Sequence, residues 1–130
     1  MALHLQGLRT AGYKVSDLDK AKEWYTNILG IQPYFDEAFY VGFNVAGYEL
    51  GLQPAEDGET IRDSGVLAYW GVEDVPTSYR ELLHAGATML EEPTDVGGDI
   101  MVASVRDPWG NAFGIIYNPH FALPADNATK

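Results

Sequence analysis

The feature that most constrains this chain is an internal repeat of one pattern: strand, capped helix, glycine stop and further strands. The first copy has Asp17 before its helix and Gly30 after it, and the second copy has Asp74 and Gly86. The two aspartates are 57 residues apart and the two glycines 56, so the predicted helices have nearly equal lengths. Two copies are too few for a solenoid, in which repeats pack between neighbours. The repeat therefore predicts two copies of one supersecondary unit that share a core or a cleft.

The pattern of apolar and turn residues divides each copy into the same elements. Between the capping aspartate and the glycine, apolar residues recur at helical spacing. Segments of β-branched, aromatic or alternating composition read as strands at residues 7–15, 31–35, 38–45 and 48–53, and again at 65–72, 88–91, 100–106 and 113–117. We predict a first module at 1–53, a polar linker at 54–64, a second module at 65–119 and a C-terminal tail at 120–130.

Composition narrows the classes of function. With 46% hydrophobic residues the chain can pack a core. Its 8 basic and 19 acidic residues give a net charge of −11, which argues against nucleic acid or an anionic membrane as partner. It contains no cysteine, so any catalysis must use oxygen or nitrogen groups. No segment is typical of a membrane span or a signal peptide, and we expect a cytoplasmic protein.

Particular motifs of the repeat carry a family resemblance. They are Asp17-Leu18, Trp24-Tyr25 and Leu29-Gly30 in the first half, and Asp107-Pro108-Trp109-Gly110-Asn111 with Phe113 in the second. With them, residues 8–119 resemble the vicinal oxygen chelate superfamily, which includes glyoxalase I, extradiol dioxygenases and bleomycin-resistance proteins. The resemblance implies an α+β fold, in which two βαβββ modules pair into a cup-shaped mixed β-sheet around a pocket.

The superfamily's metal enzymes hold a divalent ion through four ligand positions. The resemblance places the first at Thr10, the second at Gly51 or, with a register slip of two, at Glu49, the third at Leu67 and the fourth at Gly114. Leucine and glycine have no side-chain donor atom, and Glu with a Thr hydroxyl is a weak set for such an ion. His4, His84 and His120 lie away from these positions. We therefore expect no metal site and no cofactor.

Strand alternation predicts which side chains line the pocket. The set that packs beneath the helices contains Tyr13, Val15, Leu50, Leu52, Trp70, Phe113 and Ile115. The predicted ligand-binding set, with Glu49 also the catalytic candidate, contains Thr10, Lys14, Glu49, Gln53, Leu67, Tyr69, Trp109 and Gly114.

Several of these residues have simpler roles open to them. Lys14 could pair with Glu49 across the sheet or reach solvent, and Glu49 could be an ordinary cross-strand partner. Trp109 could cap the core, and Asp107 could bond within its own turn.

Three functions follow from these observations. The leading one is binding of a small organic molecule without the superfamily's metal. The first alternative is a glyoxalase-type lyase or isomerase that uses an atypical metal site, or Glu49 as base with Lys14 as an electrostatic clamp. The second is sequestration of a cationic aromatic antibiotic, which the negative charge and the tyrosines and tryptophans would favour.

The predicted fold also indicates how the chain assembles. Two half-barrels leave strand edges and apolar side chains exposed, so we expect a homodimer. Trp24, Phe39, Tyr40 and Phe121 are the aromatic candidates for its interface.

Overall fold

The computed structural model describes residue 4 and residues 8–56 and 67–120. The chain forms two compact units, Met1–Ile61 and Arg62–Lys130. Most of the predicted linker, and the tail beyond His120 with Phe121, lie outside the described residues. The domain boundaries therefore stay predictions.

The first unit is a four-stranded mixed sheet with one helix. Its sheet has the strand order β1-β4-β3-β2, with β1 parallel to β4 and the other pairs antiparallel. Its elements are β1 (Thr10–Val15), α1 (Leu18–Leu29), β2 (Phe35–Glu37), β3 (Tyr40–Val45) and β4 (Tyr48–Pro54).

Helix α1 begins and ends where the sequence predicts. The Asp17 carboxylate accepts a hydrogen bond from the Lys20 backbone N–H at 3.0 Å, which satisfies one donor of the first turn. Gly30 ends the helix in the left-handed conformation, with φ 69°, which costs glycine little. Ala21 and Tyr25 are buried on the face that turns inward.

Strand alternation gives the first sheet one packed face and one open face. Tyr13, Val15, Leu50 and Leu52 are buried, which confirms this part of the predicted core. In the parallel pairing of β1 with β4, Thr10 lies opposite Glu49 and Lys14 opposite Gln53, on the other face. These two pairs therefore belong to the open face.

The second unit repeats the arrangement with the strand order β5-β8-β7-β6. Asp74 caps α2 through a 3.0 Å hydrogen bond from the Thr77 N–H. The elements are β5 (Tyr69–Gly71), α2 (Val75–His84), β6 (Thr88–Gly97), β7 (Ile100–Arg106) and β8 (Ala112–Tyr117). The predicted α+β class and the βαβββ order of both modules are confirmed, whereas the pairing of the two sheets into a cup stays a prediction.

The core of the second unit follows the predicted alternation. Phe113 and Ile115 on β8 are buried, as predicted. Trp70 on β5 is half-buried and stacks on Phe113, with ring centroids 6.4 Å apart. Asp107 accepts backbone hydrogen bonds from Trp109 at 2.9 Å and Asn111 at 2.8 Å, which confirms the bond within its own turn.

Four predicted strands differ clearly in their bounds from the strands of the structure. In place of the strands predicted at 31–35 and 38–45, the structure has a three-residue β2, a two-residue turn at 38–39 and a β3 that begins at residue 40. The sequence did not reveal this turn, because residues 38–39 are not of the types that usually form turns. The strand predicted at 65–72 is seen only over β5, with residues 65–66 outside the described part. Strand β6 runs six residues past the predicted end at 91, as an exposed, irregular edge strand that tolerates Pro93.

One further feature concerns membranes. In the part of the chain that the structure describes, no helix has the length and apolar character needed to cross a bilayer.

Candidate functional site

A row of three glycines crosses the open face of the first sheet. Gly12 on β1 lies opposite Gly51 on β4, and Gly51 lies opposite Gly42 on β3. Without side chains, these residues leave the floor of the face at backbone level across three strands. Neighbouring side chains can therefore lie across the sheet rather than stand upright on it.

The carboxylate of Glu49 lies beside this row and accepts hydrogen bonds from three hydroxyl groups. Thr10 and Tyr40 both donate to Oε1, each at 2.8 Å. Tyr34 donates to Oε2. The donors come from β1, from β3 and from the segment before β2, so the tertiary structure assembles the cluster.

The glycines are what let the two tyrosines reach Glu49. An ideal Cβ at Gly51 would lie 1.9 Å from the Tyr40 hydroxyl oxygen, so the side chain of Tyr40 crosses directly over this residue. An ideal Cβ at Gly42 would lie 2.8 Å from Glu49 Oε2 and 3.1 Å from Cε1 of Tyr34. A side chain at either position would occupy the space that the cluster uses.

Hydrogen bonding controls the charge of the cluster. The bond from Tyr34 is the main cause that lowers the pKa of Glu49; partial burial opposes it, and the bonds from Tyr40 and Thr10 add to it. Burial, with the bond to Glu49, raises the pKa of Tyr40 to about 12. The bond to Glu49 also raises the pKa of Tyr34. Near neutral pH, Glu49 is therefore an anion that accepts hydrogen bonds from the neutral hydroxyl groups of Tyr34, Tyr40 and Thr10.

The raised pKa of Tyr40 predicts how stability responds to alkali. Because folding favours the protonated phenol, this contribution is complete below the ordinary pKa of 10.0 and is lost as the pH rises through about 12. We expect ultraviolet titration to show a tyrosine that ionises near pH 12 in the native protein and is missing from Tyr40→Phe. Tyr117→Phe, which removes an exposed phenol, should retain it. Persistence of the high pKa in Tyr40→Phe would contradict the assignment.

Exposed aromatic rings extend the cluster toward the edge of the sheet. Phe35 lies opposite Gly42, on the open face. Its ring packs edge-on against the rings of Tyr40 and Phe39, with ring centroids 6.1 Å and 6.0 Å apart. Tyr34 is 63% exposed and Phe39 66%. An apolar surface therefore adjoins the anionic group.

The first sheet brings four of the predicted site residues to one face. Thr10, Lys14, Glu49 and Gln53 share the open face, and Thr10 bonds to Glu49. The directly opposite partner of Lys14 is Gln53 rather than Glu49. In the register of β1 against β4, Glu49 lies opposite Thr10, and Gly51 lies opposite Gly12. The ligand-binding role of all four stays a prediction.

The remaining predicted site residues belong to the second unit. Tyr69 lies opposite Gly114 and is 43% exposed, and its ring passes over this glycine, where an ideal Cβ would lie 2.7 Å from Cδ1. Leu67 precedes β5 and is half-buried, as is Trp109 in the turn that Asp107 organises. Their ligand-binding roles stay predictions too.

The second unit also contains a concave region, of about 560 Å³, at the start of α2. Four carboxylates line it, those of Glu73, Asp74, Asp95 and Asp99. Two of them already accept backbone hydrogen bonds, Asp74 from Thr77 and Asp95 from Gly97. Its lining also includes apolar side chains, among them Val75, Ile100 and Met101, and it contains none of the predicted site residues.

Sequence reasoning missed the two tyrosines that define the site. Tyr40 is on the open face by alternation from Gly42, a signal available in the sequence, but we expected it at a dimer surface. The sequence contained no signal for Tyr34. It lies in a segment that was predicted to be a strand but precedes β2 in the structure, so strand alternation does not place its side chain.

Most of the chain matches one protein family. The family model described as the glyoxalase/bleomycin resistance protein/dioxygenase superfamily matches residues 7–115. The chain belongs to this superfamily. The resemblance seen in the sequence is thereby confirmed. A comparison with curated proteins found no significant match.

Solved structures share the fold of this superfamily member at low sequence identity. A glyoxalase-related enzyme from Fulvimarina pelagi is 20% identical with a TM-score of 0.76, over 94% of this chain and 95% of its own. A family enzyme from Burkholderia phytofirmans PsJN is 19% identical with a TM-score of 0.70, over 83% and 95%. A glyoxalase/bleomycin resistance protein from Albidiferax ferrireducens T118 is 20% identical with a TM-score of 0.67, over 85% and 98%. At these identities the likeness establishes the fold alone.

The metal of the superfamily does not fit the residues at the four implied positions. Thr10 and Glu49 bond to each other, and Tyr34 and Tyr40 take further acceptor positions of the carboxylate. Leu67 and Gly114 offer no side-chain donor atom. Among the described residues, no group of three or more His, Cys, Asp or Glu side chains is arranged to hold an ion. A divalent cation needs several such ligands, so no step of the chemistry is assigned to one.

Proposed function

We propose that this superfamily member binds a small organic molecule on the open face of its first sheet, with Glu49 as the polar anchor and without a metal ion. The observation that carries this proposal is the Glu49 carboxylate, oriented by hydroxyls from three different segments on a face cleared by glycines. Ligand sites combine an apolar surface with a few oriented polar groups. The adjoining rings of Tyr34, Phe35 and Phe39 supply that surface.

The state of Glu49 favours binding over proton abstraction. A general base works best when its pKa lies near the working pH, and the three hydroxyls move the pKa of Glu49 in the opposite direction. The same hydrogen bonds hold the carboxylate in one orientation, which helps recognition. The lyase or isomerase alternative, with Glu49 as base, therefore has less support than binding.

Sequestration of a cationic aromatic compound is the second candidate, and one observation favours it. The anionic Glu49 lies next to exposed aromatic rings, and Tyr40 contacts both the carboxylate and Phe35. Cations bind well where a carboxylate and the face of a ring are both in reach. The net charge of −11 would attract such a ligand over longer distances.

The expected homodimer and cytoplasmic location stay predictions.

Screening by nuclear magnetic resonance tests the proposal. We expect a library of cationic, neutral and anionic small molecules to yield compounds that shift the amide signals of β1, β3 and β4. Glu49→Gln should weaken binding of these compounds about tenfold or more, since a hydrogen bond to a charged group is lost. Glu23→Gln removes the same charge from an exposed position on α1, which packs against the other face of the sheet through Tyr25 and Tyr13, and should leave affinity nearly unchanged.

Two results would contradict the proposal. One is a library in which no compound shifts the signals of the first sheet. The other is turnover of the methylglyoxal–glutathione adduct that Glu49→Gln abolishes, which would identify an enzyme with Glu49 as base.

A further inference from the structure

The acceptor positions of Glu49 are unequally occupied. An ionised carboxylate offers about four of them, two on each oxygen. Thr10 and Tyr40 donate to Oε1, and Tyr34 donates to Oε2. Counting only donors from the described residues, Oε1 is saturated and Oε2 has one position left.

This inventory separates two classes of cation. A guanidinium or amidinium group binds a carboxylate best as a fork, with one N–H donated to each oxygen. Such a fork needs a free position on Oε1 and another on Oε2. An ammonium group needs only one acceptor, because it acts as a compact point charge.

We infer that the ligand of the open face presents a single ammonium group, rather than a planar guanidinium or amidinium, to Oε2 of Glu49. This inference rests on the proposed function and names the ligand class for the same site. Tyr34 lies on the side where the cation enters, because it shares Oε2, and its ring is exposed. The face of that ring is available to the cation's carbon skeleton.

The hydroxyl donors to Oε1 are therefore specificity-determining. Tyr40→Phe and Thr10→Val each free a position on Oε1, which would let a fork bind. Tyr34→Phe frees a second position on Oε2 but leaves Oε1 saturated, so a fork still cannot form. It is the matched control, since it removes the same atom from the same type of residue in the same cluster.

Two probes with the same ring and linker test this, 2-phenylethylammonium and 2-phenylethylguanidinium. We expect titrations of the native protein, followed by nuclear magnetic resonance, to show the ammonium binding about fivefold tighter or more. Tyr40→Phe and Thr10→Val should reduce or reverse this ratio, while Tyr34→Phe should retain it. Two variants at Oε1 guard against one of them failing to fold.

Several outcomes would overturn the inference. Equal or tighter binding of the guanidinium to the native protein would do so, as would a ratio that all three variants leave unchanged. If neutral or anionic compounds bind in a Glu49-dependent manner and neither probe does, the inference is wrong and the proposed function stands. If no compound binds, both are wrong.

Discussion

Replacing Gly51 with valine should expel Tyr40 from its hydrogen bond to Glu49 and destabilise the first unit. An ideal Cβ at Gly51 would lie 1.9 Å from the Tyr40 hydroxyl oxygen and 2.6 Å from Cζ. A branched side chain cannot be accommodated by a small shift of the hydroxyl, so the ring must move away. We expect a loss of about 1–3 kcal/mol in the free energy of unfolding, measured by urea denaturation. The pKa of Tyr40 should fall toward 10.0.

Gly12→Val is the control for this prediction. Gly12 lies opposite Gly51 on the same face, and an ideal Cβ there meets nothing closer than Gln53 Nε2 at 3.8 Å. Valine favours strands, so this variant should be nearly as stable as the native protein and should keep the Tyr40 pKa near 12. Equal losses in both variants would mean that the contact between Gly51 and Tyr40 is not the cause.

Gly114→Glu, which puts a carboxylate at the fourth implied ligand position, should be the more destabilising change. An ideal Cβ there would lie 2.7 Å from Cδ1 of Tyr69 and 2.8 Å from the carbonyl oxygen of Ala68. The Gly114 N–H donates to that same carbonyl at 3.1 Å, so the backbone cannot retreat without losing the bond. We expect a loss of about 3 kcal/mol or more in the free energy of unfolding.

Gly71→Glu makes the same substitution on the neighbouring strand. An ideal Cβ at Gly71 has no atom within 4 Å, and the residue is exposed. Urea denaturation should show a loss of under about 1 kcal/mol for this variant. If Gly114→Glu were as stable as Gly71→Glu, the close approach of Ala68 and Tyr69 would not be what excludes a side chain. A single substitution would then be able to restore a carboxylate at this position.

The helix ends and the packed faces were predictable because they depend on neighbours in the sequence. Asp17 and Asp74 each bond to a backbone N–H three residues later, so the capping signal and its partner are local. The buried residues Tyr13, Val15, Leu50 and Leu52 follow from a period of two that any strand imposes. Even the turn at Asp107 is local, since its donors lie two and four residues ahead.

The break between β2 and β3 shows where local signals fail. The turn at residues 38–39 consists of Ala and Phe, which carry none of the usual backbone preferences for turns. The sequence therefore predicted two strands, at 31–35 and 38–45, with the break at the charged residues 36–37 rather than at 38–39. Pairing of Phe35 with Gly42 and Glu37 with Tyr40 places residues 36–37 in a strand and the hairpin turn at 38–39.

The sequence by itself determined the repeat, the helix ends, the alternation of faces, the absence of cysteine and the lack of side-chain donor atoms at Leu67 and Gly114. Only the tertiary structure decided which donors meet at Glu49. Thr10 lies 39 residues away along the chain, and its bond to the carboxylate depends on the register of β1 against β4. The bonds of Tyr34 and Tyr40 depend on missing side chains at Gly42 and Gly51 on adjacent strands. Contacts of this kind are set by strand pairing and by space, which a pattern read along one strand does not contain.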